Sequence, residues 1–411
     1  MTEKIYYKFI QFALGTYEGK EFLDGSALNG FDWQRFYDFA KKQTLEGIIM
    51  EGISRLPKAV APKQGLLMNW FMMSQNISRQ NMMLNAATAE IYNKVKAAGY
   101  DCCILKGQAN AAMYANPAVR TPGDVDMWVD ASREEIRQLA QTLAKENGRI
   151  DEESYNHIAL TTNNISVELH YTPGFMANFT YNRRLQQWFR ESIDAQCRNM
   201  IALPDETGEV AAPTADFNAV YQLYHLYHHY FYEGVGLRQV VDYYYVILNF
   251  ELGVLNCRLR DEELKNCELE TQNSKLNNSK SAKPTIQNSK FKTQNSLTRL
   301  GLWHFAGAVM YVLHEVLGLP EEKMIAPMDK KRGEMLLNDI LCGGNFGHHD
   351  ERHAWGRDTY DGNGFKHGAL GHNLLRLHRD LRLLKYYPSE ALSEPIFRLW
   401  HYYWRWKIHQ L

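Results

Sequence analysis

Two aspartates one residue apart, Asp124 and Asp126, lie in the apolar stretch GDVDMWV. Buried carboxylates are costly unless they are paired or hold a metal, so a strand that carries two of them has a use for them. Side chains alternate faces along a strand. Asp124, Asp126 and Trp128 therefore share one face, and Val125, Met127 and Val129 the other. A second stretch, ISVELHY, puts Ser166, Glu168 and His170 on one face and Ile165, Val167 and Leu169 on the other. If the two strands are neighbours, three carboxylates converge, a hard-oxygen set suited to Mg2+. Such sites bind one or two ions, about 3.5–4 Å apart when there are two, which hold a nucleotide's phosphates and activate an attacking oxygen.

A third feature lies upstream, where the strand YDCCILKG ends in Lys106-Gly107. Glycine lets the backbone approach a ligand closely. A helix, QANAAMYA, starts immediately after it, and a helix N-terminus favours phosphate. Lys106 adds positive charge, and Arg120, four residues before Asp124, is placed to neutralise phosphate. Plainer readings exist: Asp124 and Asp126 as caps of a turn after Pro122-Gly123, and Glu168, Lys106 and Arg120 as solvated surface charges.

Leu105-Lys106-Gly107, then Tyr114, Pro117 and Arg120, then Asp124-x-Asp126, then Glu168 and His170, together form a pattern. It resembles an uncharacterised bacterial nucleotidyltransferase family of the DNA polymerase β-like nucleotidyltransferase superfamily. The likeness continues in GLRQVVDYY (Gly236 to Tyr244) and GGNFG (Gly343 to Gly347), so it spans most of the chain. It implies an α+β fold, with a small mixed-sheet nucleotidyltransferase core and α-helical N-terminal and C-terminal regions. It implies transfer of a nucleoside monophosphate from an NTP to an acceptor hydroxyl, with Mg2+ as cofactor. Asp124, Asp126 and Glu168 become the catalytic and metal-binding residues; Lys106, Gly107, Arg120 and His170 become nucleotide-binding. Two departures stand out. The superfamily's usual turn is Gly-Ser, where this chain has Lys106-Gly107, so the phosphate contact falls to backbone or to Lys106. The third acid is often Asp and is Glu168 here.

The elements that position these residues are helical before residue 99, where Gly99 ends a long stretch. From 100 to 170 the expected order is helix, strand, helix, strand, helix, then a strand or hairpin. Ser132 caps the helix SREEIRQLAQTLAKENG, with Glu135 completing a capping box. The chain divides into an N-terminal helical region (1–85), the α/β core (86–205) and a helical region (206–257). A low-complexity insertion (258–298), read as disordered, and a C-terminal helical region (299–411) follow. The insertion rests on the recurring TQNSK, LNNSK, IQNSK and TQNS, which carry few large apolar residues.

Composition sets the outer limits. The chain has 411 residues, 45% hydrophobic, enough for two or three domains with real cores. Basic and acidic residues nearly cancel, 46 against 47, so no overall field points to nucleic acid. Cys102, Cys103, Cys197, Cys257, Cys267 and Cys342 form no C-x-x-C pair and read as reduced thiols of a cytoplasmic protein. The N-terminal stretch is interrupted by charge and does not read as a secretory signal. No run of about 18 uncharged apolar residues offers a membrane span.

Other motifs stay open. His225, His228 and His229 have helical spacing compatible with zinc, but the tyrosines around them read as a core helix. GHHDERH (Gly347 to His353) lacks the flanking spacing of a metal phosphohydrolase. Arg238 and Asp242 fit equally a helix-surface pair and a cleft wall. Residues 366–411 hold eight Lys or Arg against three Asp or Glu, with aromatics between. This suits a peripheral membrane contact, an anion-binding surface or an ordinary packed helix. Two competing functions remain: a nucleotide-binding or scaffold protein without turnover, and a peripheral membrane protein of envelope polysaccharide assembly. The acceptor, the base preference and the oligomeric state are not legible in the sequence.

Overall fold

The structure, a computed structural model, describes residues 2–145, 148–256, 282–349 and 369–407. Five helices come first: α1 (Thr2–Leu14), α2 (Lys20–Leu23), α3 (Trp33–Gln43), α4 (Glu46–Ser54) and α5 (Gln64–Ala97). α5 buries Trp70, Ile77, Leu84, Ile91 and Val95 along one side, the stripe expected of a helix packed on a core. It stops before Gly99, whose φ of 92° is open to glycine at little cost. α5 runs unbroken past residue 85, so the boundary expected at 85/86 falls inside a helix and not at a linker.

The sheet comes next, with strands β1 (Cys102–Ile104), β2 (Val125–Val129), β3 (Gly148–Glu153), β4 (His157–Thr162) and β5 (Ile165–His170). Their order is β1-β2-β5-β4-β3. β2 and β5 run parallel, and the other pairs are antiparallel. The two acidic strands are therefore neighbours, with Asp126 opposite Glu168 and Trp128 opposite His170. β2 is buried over its whole length. β3, by contrast, is an exposed and charged edge strand, GRIDEE, which carries no apolar alternation and which the sequence pattern did not mark as a strand.

α6 (Gln108–Ala111) follows β1 and α7 (Arg133–Ala144) follows β2. α7 opens on the expected capping box between Ser132 and Glu135. After the sheet come α8 (Phe179–Arg198), the hairpin of β6 (Met200–Ala202) and β7 (Glu209–Ala211), α9 (Ala215–Tyr232) and α10 (Leu237–Leu248). The chain closes with α11 (Ala282–Arg299), α12 (Trp303–Leu317), α13 (Lys330–Gly343), α14 (Ala369–Leu383) and α15 (Pro388–Lys407). The fold is thus α+β, with helices on both sides of a mixed sheet in the sequence. The first and last helical regions meet: α1 packs on α12. Gln43 accepts from the Leu237 N–H at 2.9 Å and donates to the Ile340 carbonyl at 3.0 Å.

The expected insertion at 258–298 needs correcting at its C-terminal end. Residues 257–281 lie outside the described residues, but 282–298 belong to α11, which packs on α9. Its buried stripe is Ser289, Thr293, Leu297 and, just beyond, Leu300. Two of those four are small polar residues, so the helix period is present while the apolar signal is weak.

Candidate active site

The site is built at the mouth of β1, β2 and β5. Period two along β2 brings Asp124, just before the strand, and Asp126 to one side, and the parallel register brings Glu168 beside them. One carboxylate oxygen from each of the three lies within 4.8 Å of the others. Asp126 is fully buried, and its Oδ2 has no hydrogen-bond partner. A buried carboxylate oxygen without a donor costs on the order of 1–3 kcal/mol or more. An all-oxygen set with one such atom fits a hard divalent cation. His157, Glu168 and His170 form a second close group that shares Glu168.

Two cations hold these acids together. Lys106 Nζ is 3.1 Å from Asp126 Oδ1. His170 Nε2 is 3.2 Å from both Asp126 Oδ1 and Glu168 Oε2. Burial opposes charge on His170, but hydrogen bonds to the two carboxylates hold it up at about 9. Burial likewise lowers Lys106, and Asp124, Asp126 and Glu168 outweigh it and raise it. Burial pushes Glu168 up, while the His170 hydrogen bond and the charges of His170, His157 and Lys106 bring it down to about 2. His157 is lowered by burial and by His170.

The Lys-Gly turn lies against the same aspartates. The Leu105 N–H donates to the Asp126 carbonyl at 2.9 Å, so Lys106 stands at the strand end. Gly107 has φ 65°, and a Cβ there would stand 3.1 Å from the Asp124 carbonyl oxygen. The following helix is shorter than expected. α6 is a single turn, because the chain tightens at Met113 and Tyr114 and reaches Pro117, which cannot continue a helix. One turn sums few peptide dipoles, so the phosphate cradle expected there reduces to Gly107 and its neighbours.

Arg120 differs from expectation. It is buried and donates twice to Asp242 on α10, from Nε to Oδ1 and from Nη2 to Oδ2, both at 2.8 Å. The Tyr114 hydroxyl donates to the same Oδ1 at 2.6 Å. Two of Arg120's five N–H groups therefore join the core to α10, and its Nη1 stays buried without a partner. This also resolves the two readings of Arg238 and Asp242: both line the cleft, with Lys106, Gly107, Asp124 and Asp126.

Several positioning residues were not visible in the sequence. Asn81 on α5 donates from Nδ2 to the carbonyls of Arg120 at 2.7 Å and Ala118 at 3.2 Å. Gln108 donates to Asn85 on the same helix. Gln222 on α9 donates to the Leu105 carbonyl at 3.2 Å. α9 also presents His225 and His229 to the cleft. Their Nε2 atoms are 2.9 Å apart, and His229 Nδ1 is 2.8 Å from Glu233. Metal-sized clusters among the described residues do not include them.

GGNFG closes the cleft. A Cβ on Gly234 would lie 2.6 Å from the Gly347 Cα, and one on Gly236 2.7 Å from the Asn345 Cα, so the two segments meet backbone to backbone. Between them Phe346, with φ 50°, edges against His229 at 5.2 Å. Of GHHDERH, residues 350–353 lie outside the described residues.

A family model described as uncharacterised nucleotidyltransferase matches residues 29–275, more than half of the chain. The chain belongs to this nucleotidyltransferase family. The match takes in the Lys-Gly turn, both aspartates, Glu168, Arg120 and Asp242, and it ends before GGNFG. Searches of curated proteins and of solved structures returned no match.

Proposed function

We propose that this nucleotidyltransferase moves a nucleoside monophosphate from an NTP to an acceptor hydroxyl, using Mg2+ held by Asp124, Asp126 and Glu168. The observation that carries this is the convergence of three carboxylates, one with an unpartnered buried oxygen, beside a lysine and a backbone-accessible glycine. A divalent cation bound there would offset triphosphate charge and acidify the attacking hydroxyl. Attack on the α-phosphorus forms the new P–O bond and expels pyrophosphate. Lys106 and the Gly107 backbone face the charge that develops on the phosphoryl oxygens. His170 keeps Asp126 and Glu168 together from behind. Glu168, held at about 2, is suited to holding a cation and is a weak proton acceptor at neutral pH.

The cleft is about 40 Å3, well below the roughly 300–1,000 Å3 of ligand pockets. The enclosed part alone therefore does not hold a whole nucleotide, and Phe346 lines its edge. The glycines at 234, 344 and 347, all with positive φ, are where the backbone can turn.

The test is incubation of the pure protein with each NTP, Mg2+ and candidate acceptors, with pyrophosphate and the mass of labelled products as readouts. Release of pyrophosphate with a product heavier by one nucleoside monophosphate supports the reading. Tight NTP binding with no pyrophosphate release would favour the binding or scaffold alternative.

A second reading concerns residues 366–411 and a peripheral membrane contact. α15 exposes Leu392, Ile396, Leu399, Tyr403 and Trp406 along one line. No helix among the described residues is long and apolar enough to cross a membrane. The basic count is mostly internal: Arg376 and Arg398 pair with Glu394, Arg382 with Asp339 and Arg405 with Glu152. Flotation with neutral and anionic vesicles tests the stripe, and similar binding to both is the outcome it supports.

A further inference from the structure

We infer that Arg238, on the first turn of α10, is the residue that grips the β- and γ-phosphates of the donor, so that the helical region contributes the main cation of the polyphosphate site. This rests on the function proposed above and extends it. The ligand class is a linear polyphosphate: the triphosphate tail before transfer, pyrophosphate after it.

Three observations carry the inference. The first is placement. Arg238 lines the same cleft as Lys106, Gly107, Asp124 and Asp126. Its Nη2 lies 3.1 Å from where a Cβ on Gly123 would stand, so a bare glycine leaves room for the guanidinium next to Asp124.

The second is partner accounting. Arg238 donates from Nε to the neutral carbonyl of Thr121 at 3.1 Å. The carboxylate nearest to it along α10, Asp242, is already taken by both arms of Arg120 and by the Tyr114 hydroxyl. A partly buried guanidinium whose hydrogen bond goes to a neutral carbonyl still has N–H groups to offer an anion. Burial and the charge of Arg120 lower Arg238, against the opposing pull of Asp242 and Asp124.

The third is a neighbouring unused donor. Arg120 is 2% exposed, and its Nη1 has no partner. It lines the same cleft as Arg238. Asp242 pairs with one guanidinium and leaves the other, plus the unpartnered Nη1 of Arg120, in the cleft that the aspartates also line. Arginine's fork suits phosphate oxygens better than a point charge does. A cation held by the carboxylates and the guanidinium beside them would together grip a triphosphate.

The experiment measures affinity, by calorimetry with Mg2+, for a non-hydrolysable nucleoside triphosphate and for the corresponding monophosphate. Wild type, Arg238→Gln and Arg238→Lys are compared. The expected result is a ratio of triphosphate to monophosphate affinity that falls about 10- to 100-fold in Arg238→Gln, with partial retention in Arg238→Lys. The ratio is taken within each protein, so a general loss of stability cancels. In wild type, inorganic pyrophosphate should shield Arg238 from an arginine-selective reagent, as read by peptide mass, and the monophosphate should not. This arm decides the matter even if both variants fail to fold. An unchanged ratio, or labelling indifferent to pyrophosphate, overturns the inference alone. Absence of any triphosphate binding by wild type overturns the functional reading, and the inference with it.

Discussion

At the cleft, Glu168 keeps a quarter of its side chain exposed and is held at about 2, because His170, His157 and Lys106 surround it. On α15, Glu390 is only 1% exposed, accepts from the Ala177 N–H and is pushed up to about 7, chiefly by burial. Asp380 beside it is also raised to about 7, by burial and by Glu394. In the same cluster Arg379 is lowered to about 10 by burial and by Arg376. In the C-terminal cluster, then, burial moves Glu390 and Asp380 toward the neutral form, while Arg398 and Arg376 keep Glu394 lowered. In the cleft, Glu168 is kept ionised by protein cations, and one oxygen of Asp126 is left without a donor. Ionised buried acids on a cavity wall are a reservoir of ligand affinity, whereas neutralised or arginine-paired acids serve the fold. The difference explains why the basic count at 366–411 misleads: much of it is paired within the molecule, with Glu394 and Asp339 in the interior and with Glu152 at the surface.

The sharpest test of that contrast exchanges one acid in each cluster for its amide. Asp126→Asn should lower transfer by more than about 100-fold, the loss that second-shell partners of a metal already reach, with the thermal transition kept. Glu394→Gln should do the opposite. Glu394 is 1% exposed and held by Arg398 and Arg376, so breaking the pairs should destabilise by about 3–5 kcal/mol. Activity per folded molecule should be unchanged. Equal activity in Asp126→Asn would remove this acid from the chemistry, and a stable Glu394→Gln would show that its pairs contribute little.

pH dependence separates the two clusters next. Glu390 is raised from 4.5 to about 7, so its contribution is fully present below pH 4.5 and lost as pH rises through 7. Glu168 is depressed, so its contribution holds above 4.5 and is lost only as pH falls through about 2. His170, raised from 6.5 to about 9, loses its contribution as pH rises through 9. Denaturant unfolding between pH 5 and 8 should therefore show stability falling with pH. Glu390→Gln should flatten that fall by about 2–3 kcal/mol. Asp380 shares the window, so some slope should remain. A slope untouched by Glu390→Gln would mean that Glu390 ionises freely.

A smaller effect is expected from the buried amide behind the site. Asn81→Ala leaves the carbonyls of Ala118 and Arg120 without their donor, which should cost about 1–3 kcal/mol. Because those carbonyls belong to the loop entering β2, kcat should fall several-fold with little change in acceptor KM. A stability loss with kcat intact would make Asn81 purely structural.

The sequence carried the carboxylate face further than its surroundings. Period two in GDVDMWV and ISVELHY is local, so the sharing of a face by Asp124, Asp126 and by Glu168, His170 was legible, as was the capping box at Ser132. What stayed hidden was decided by distant partners. Arg120 is indistinguishable from a phosphate ligand until Asp242, 122 residues away, claims it. Asn81 and Gln108 read as ordinary polar residues, and the edge strand β3 carries no apolar alternation. The truncation of α6 follows from tight turns that no propensity marks.

α11 gives the last test, because it lies where low complexity and helical burial overlap. The repeats over 258–298 predict dispensable sequence, yet Ser289, Thr293 and Leu297 form a buried stripe and Gln294 donates to the Ile325 carbonyl at 2.9 Å. Two replacements by Gly/Ser linker of equal length separate the contributions while keeping the chain's reach. Replacing 258–281 should leave stability and transfer within error, since its repeats offer few large apolar side chains. Extending the replacement to 298 should destabilise by more than the burial of Leu297 alone, about 2–5 kcal/mol for a leucine lost from a core. α9, on which α11 packs, also carries His225, His229 and Gln222 to the cleft. Loss of α11 should therefore lower transfer as well as stability. If the longer replacement behaves like the shorter, the buried stripe contributes nothing and the disordered reading holds through residue 298. If the shorter one already impairs the protein, the repeats themselves do something that their composition conceals.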